Sequence, residues 1–209
     1  MADEPYSSLR PSDALSPGGL AGKREYVQDL EKRGDESALR LLVECLADES
    51  GYLRDLAAAA LVRLKAAASA ILPLLHSGLW YTRTSAVKTL GRLGASEAAR
   101  PLATLLSDQN HGVRLDVIDA LVAIARGGHD VHVARALYAR SEAERAWAVR
   151  DLRVRDPRIG TRMEELFRDR DLMSAEEHEL LPVTKPKPGE DGVAWDLLTG
   201  MAEGARSES

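Results

Sequence analysis

Apolar positions along the chain follow a helical period, and the period itself repeats. The pattern Arg-x-x-(small apolar)-(apolar)-x-x-Leu occurs at Arg54/Ala57/Ala58/Leu61 and at Arg83/Ala86/Val87/Leu90. It returns at Arg114/Val117/Ile118/Leu121 and at Arg145/Ala148/Val149/Leu152. The arginines stand 29, 31 and 31 residues apart, and the apolar members follow at +3, +4 and +7, one face of an α-helix. A second apolar set precedes each arginine at a constant offset. Leu46, Leu75, Leu106 and Leu137 lie eight residues before it, and Leu42, Ile71, Leu102 and Val133 four residues earlier again. The spacing therefore predicts a helix, a short turn and a second helix, in four units over about residues 36–156.

Neither helix of such a pair can bury its apolar face alone, so the pairs must stack on one another. The expected fold is all-α: a short right-handed α-solenoid, a superhelix of stacked antiparallel helix pairs over residues 22–181. Its ends need caps. Lys23, Tyr26 and Leu30 lie 31 residues before Arg54, Ala57 and Leu61, which predicts a lone capping helix over 22–33. Residues 157–181 read as a degenerate terminal pair, Arg158 to Arg168 and Ser174 to Leu181, with Ser174 and Glu177 at capping-box spacing. Residues 1–21, rich in Ser, Pro and Gly, are expected to be disordered, as is the acidic tail 182–209 with its Pro/Gly/charge stretch. Within that tail, residues 193–201 bring apolar residues back at roughly helical spacing.

Composition supports helices, since only 4% of residues are aromatic and Ala and Leu carry most of the apolar content. The net charge of −5 is unevenly spread. Residues 36–156 hold 16 Lys and Arg against 14 Asp and Glu, a net of +2, so the acidity sits in the flanks. That balance lacks the basic stripe of a general nucleic-acid binder, and no nucleic-acid partner is expected. The opening MADEPYSS has neither the basic nor the apolar part of a signal peptide, and the longest apolar run is Leu56 to Val62, which predicts no membrane span. A single cysteine, Cys45, forms no internal disulfide and suits a reducing cytoplasm.

The two-helix unit resembles the short HEAT-like repeat of the phycobilisome-lyase type. The matching features are the Asp-to-Arg link (Asp48 to Arg54, Asp108 to Arg114), the small residue at +3, the Leu at +7, and Pro73 and Pro101 in the first helices. The second and fourth units depart from it, with Ser77 and Ala139 where the Asp belongs. The resemblance implies the solenoid; for function it implies scaffolds, chaperones, lyase subunits and, rarely, enzymes. A related enzyme family, deoxyhypusine hydroxylase, holds di-iron with several His-Glu pairs. Here His178-Glu179 stands alone and outside the regular units, so that activity is not expected.

Candidate binding residues follow from the same periodicity. Positions +1, +2, +5 and +9 of the second helices are expected to face away from the core, on the concave side of the solenoid. Arg63, Lys88 and Arg92 then fall near one another and could receive an acidic peptide. Trp147, at an outward +2 position, and Arg150 extend the set. Trp80 and Tyr81, in a turn, are possible anchors, although turn aromatics also plug the gap between repeats. In the tail, Trp195, Leu197 and Leu198 could dock in trans or back onto the solenoid. The repeat arginines read more simply as a structural ladder, Cys45 as a buried core thiol, and His129 with His132 as too few ligands for a metal. No catalytic motif, cofactor or metal is expected. The chain reads as a non-catalytic scaffold or adaptor for a protein or peptide. The alternatives are a nucleic-acid binder of DNA-glycosylase-like architecture and a lyase-like subunit acting on a bilin-protein.

Overall fold

The computed structural model describes residues 18–174, and every regular element among them is helical. Helix α1 (Gly19–Arg33) stands alone ahead of the pairs. Helices α2 (Glu36–Cys45) and α3 (Gly51–Arg63) form the first unit. The second pairs two 3₁₀ turns, Ala68–Ala70 and Leu72–His76, with α4 (Trp80–Leu93). The third pairs α5 (Ala99–Thr104), prolonged by a 3₁₀ turn, with α6 (His111–Ile124). A π turn, Ala125–His129, leads into α7 (Asp130–Tyr138), which pairs with α8 (Glu142–Arg155); α9 (Pro157–Leu166) and α10 (Arg170–Ser174) follow.

The second helices pack in sequence, α1 on α3, α3 on α4, α4 on α6 and α6 on α8, while α5, α7 and α9 build the other layer. This is an α-solenoid. The apolar positions read from the repeat line its core: among the +3, +4 and +7 residues of all four units, the most exposed is Val149 at 7%. At full burial a Leu or Val side chain contributes about 1.5–3 kcal/mol, so these rows hold the stack together. Val27 and Leu30 extend the core onto α1, and Met163 and Leu166 extend it onto α9.

Side chains start most of the second helices. Ser50, Asn110 and Ser141 each accept a hydrogen bond from the backbone N–H three residues on, opening α3, α6 and α8. Ser141 and Glu144 complete a reciprocal capping box. At the equivalent position of α4 stands Leu79, which offers no side-chain cap.

Helix ends differ in a telling way. Gly34, Lys65 and Gly94 occupy the same place in their units, just past the ends of α1, α3 and α4, and all three have left-handed backbone, with φ of 59°, 51° and 66°. The Lys65 N–H bonds the Val62 carbonyl and the Ala66 N–H the Leu61 carbonyl, closing α3. Glycine takes this conformation freely. Lysine in it carries about 1 kcal/mol of strain.

The structure adjusts several expectations. Residues 19–21 are helical rather than part of a loose leader. The first helix of the second unit is 3₁₀ rather than α, because Leu72 precedes Pro73, which disfavours α geometry and lacks an N–H to donate. Pro101 interrupts nothing, since it sits in the first turn of α5. The final described helix, α10, starts at Arg170, with the Asp169 carboxylate accepting from the Leu172 N–H at 2.9 Å, and the Ser174/Glu177 capping box lies outside the described side chains. The rest of the segment to Leu181, residues 1–17 and the tail with Trp195, Leu197 and Leu198 lie outside the described residues.

α4 and α6 approach most closely at Gly91, where an added Cβ would stand 2.7 Å from Ala120 Cα. Such an approach sets the two helices in firm register, which matters for the face they share.

Candidate partner-binding surface

Each repeat arginine turns back onto the turn that precedes its helix. Arg54 donates to the Asp48 and Glu49 carbonyls at 2.7 and 2.9 Å, and Arg83 to the Ser77 carbonyl at 2.8 Å. Arg114 donates to the Asp108 carbonyl at 2.6 Å and Arg145 to the Tyr138 carbonyl at 3.1 Å. The aspartate six residues earlier gives its carboxylate elsewhere. Asp108 accepts both Arg83 Nε and Nη2, at 2.7 and 2.8 Å, from the unit before its own. Burial pushes the Asp108 carboxyl up, but Arg83 and the Asn110 N–H outweigh it and hold the group below its ordinary value. Lys23, at the equivalent position of α1, reaches Ser50 in the next turn at 2.9 Å.

Two of the repeat arginines also meet aromatic rings. Arg54 lies 4.8 Å from the centre of the Tyr81 ring, in the unit whose turn has Ser77 in place of Asp. Arg145 lies 5.0 Å from Tyr138 and 5.8 Å from Phe167. Tyr81 thus bridges repeats, and it and Trp80 lie in the first turn of α4 rather than in the preceding turn where they were expected. Trp80 beside it is 53% exposed and Leu79 48%, an apolar patch at the uncapped start of α4.

The outer face of the second helices carries the remaining candidates. Arg63 meets Glu31 of α1 through Nε and Nη2, a bidentate pair that holds the Glu31 carboxyl below its ordinary value. Lys88 of α4 lies 3.5 Å from Asp116 of α6. Asp119 of α6 takes Arg155 of α8. Among the described residues Arg150 meets only its neighbour Asp151, at 3.1 Å, and stays exposed. Arg92 is exposed and has no ion-pair partner among the described residues.

The face therefore alternates in sign: basic on α3 and α4, acidic on α6, basic on α8. Burial raises the Asp116 carboxyl, against the pull of Lys88. The +2 row was expected outside, yet Ser85 is buried while Leu56, Asp116 and Trp147 are half-buried. Leu56 and Trp147 pack in part against the core, and Asp116 meets Lys88 of α4. Trp147 accordingly leaves only part of its surface free. Glu31, Asp116 and Asp119 went unread as partners because a one-dimensional repeat does not say which unit a long side chain reaches.

Cys45 is fully buried, and desolvation raises its thiol to about 12, so it stays protonated. The His129 and His132 rings meet edge to face at 5.7 Å. Among the described residues, no group of three or more His, Cys, Asp or Glu is placed to hold a metal, and no helix is long and apolar enough to cross a membrane.

Residues 68–155 match the family model for HEAT repeats, a span running from the second unit to the end of the fourth. No curated protein matches the chain.

Proposed function

We propose that this HEAT-like repeat protein is a non-catalytic scaffold that holds a protein or peptide partner against the outer face of its second helices, in the cytoplasm. HEAT repeats generally mediate protein–protein interaction, and a solenoid of stacked pairs offers a broad preformed surface. One observation carries the reading: Arg63, Lys88, Arg92, Asp119 and Arg150 all project from one layer whose helices are tied by cross-helix ion pairs. A surface held in advance loses little conformational entropy on binding. The alternating signs suit a partner with matching alternation better than a uniformly charged one. Trp80, Tyr81 and Trp147 supply aromatic contact beside it.

The decisive variant combines Arg92→Glu and Arg150→Glu. Neither residue joins two helices, so helicity by circular dichroism should be unchanged while capture of the partner from the native host falls at least tenfold. Undiminished capture by a fully helical double variant would reject this face as the binding surface.

A polyanionic backbone would meet Asp116 and Asp119 between the basic rows, so a nucleic-acid partner is not favoured. Action on a bilin-protein rests on repeat type alone; co-expression with one tests it, and bilin transfer would replace the scaffold reading.

A further inference from the structure

A cleft of about 440 Å³ opens between the C-terminal ends of α3 and α4. Val62, Ala66 and Leu93 line its apolar part, and Lys65, Arg92 and Glu97 its polar part. Lys65 and Arg92 are exposed and have no ion-pair partner among the described residues. Among the described residues Glu97 accepts only a long contact from its neighbour Ser96, at 3.5 Å. Arg92 has an ordinary reason to be there, since a cation complements the negative end of a helix. Lys65 does not. Its position is filled by glycine in the units on either side, Gly34 and Gly94, because the backbone there is left-handed. The chain keeps a lysine, at φ 51°, where glycine would be free of strain. The strained backbone holds the Lys65 ammonium beside Arg92 at the rim of the cleft.

We propose that this cleft is an acidic-peptide subsite: Lys65 and Arg92 clamp a carboxylate of the partner while an adjacent apolar residue lies against Val62 and Leu93. This deepens the scaffold reading and rests on it. Two uncompensated cations over an apolar floor are complementary to a peptide that alternates acidic and apolar residues. Glu97 opposes the bound carboxylate and restricts where it sits.

The test uses the full chain, ¹⁵N-labelled, and a peptide of alternating Leu and Glu, with its Leu/Gln counterpart as control. Amide shifts should concentrate at residues 62–68 and 92–97, and the Gln peptide should leave them unmoved. Lys65→Gly should weaken the Glu peptide about 3- to 10-fold and yet raise the melting temperature by about 2–4 °C. Arg92→Gln should weaken it similarly with little change in melting, and Glu97→Gln should tighten it.

A lysine kept for structure would not separate binding from stability in this way. The proposal is overturned if Lys65→Gly binds as wild type, if the Gln peptide binds equally well, or if inorganic phosphate alone reproduces the shifts and the peptide does not displace it. Should Lys65→Gly bind normally while Arg92→Glu with Arg150→Glu still loses the native partner, the subsite fails and the scaffold reading stands.

Discussion

At the start of the second helices, Arg83 gives its guanidinium to Asp108 and the Ser77 carbonyl, and Arg54, Arg114 and Arg145 give theirs to turn carbonyls. At the far end of α3 and α4, Lys65 and Arg92 have no ion-pair partner among the described residues. The difference comes from what surrounds each group. The Arg83 and Asp108 side chains are 14% and 5% exposed, so each needs the other once water is excluded. Lys65 and Arg92 keep their hydration and remain available to a ligand. The same residue type thus holds the stack at one end and is left open at the other. The acids divide in the same way: Asp108 is held below its ordinary value and Asp116 is raised above it.

The contrast breaks most visibly at the turn end. Asp108→Ala should destabilise the chain by about 2–3 kcal/mol, because it leaves Arg83 half-buried without its anion. The loss should appear as a lowered urea midpoint with unchanged slope. Arg54→Ala removes hydrogen bonds to carbonyls and a ring contact but no buried pair. Its cost should be about 1 kcal/mol in the same measurement, and equal losses would show that the ladder does not depend on the missing Asp.

The smallest effect belongs to Asp116. Its folded carboxyl is raised, so burying the charged form costs stability at neutral pH, and that cost is relieved as pH falls through the raised value. Asp108 has the opposite sign. The stability it lends is present above its unfolded value, about 3.9, and is lost as pH falls through the lower folded one. Asp116→Asn should therefore stay within about 0.5 kcal/mol of wild type at pH 7, whereas Asp108→Asn should flatten the acid limb of a stability–pH curve. A large loss from Asp116→Asn would mean that the Lys88 pair, rather than helix packing, sets the register of α4 and α6.

Much of this was legible along the chain. The core rows at Ala57/Leu61 through Ala148/Leu152, the lone first helix and the back-turned arginines all follow from periodicity, which a helix obeys wherever it sits. The Ser141/Glu144 capping box is equally local, since both residues lie in one helical turn. Other features were not local. Asp108 binds the arginine of the preceding unit, Trp147 packs in part against a core that exists only once the helices are stacked, and Lys65 is notable only beside Gly34 and Gly94 in the folded backbone.

The sequence by itself determined the core stripe of each second helix at +3, +4 and +7, because a 3.6-residue turn and a fixed repeat align those positions, but not the burial of the +2 row. It likewise determined that the pairs must stack, since no pair could cover its own stripe. Only the tertiary structure decided which cations are spent and which are left. That depends on how far each side chain must reach to a neighbouring unit and on how much water remains around it, and neither distance nor solvation is written in the spacing.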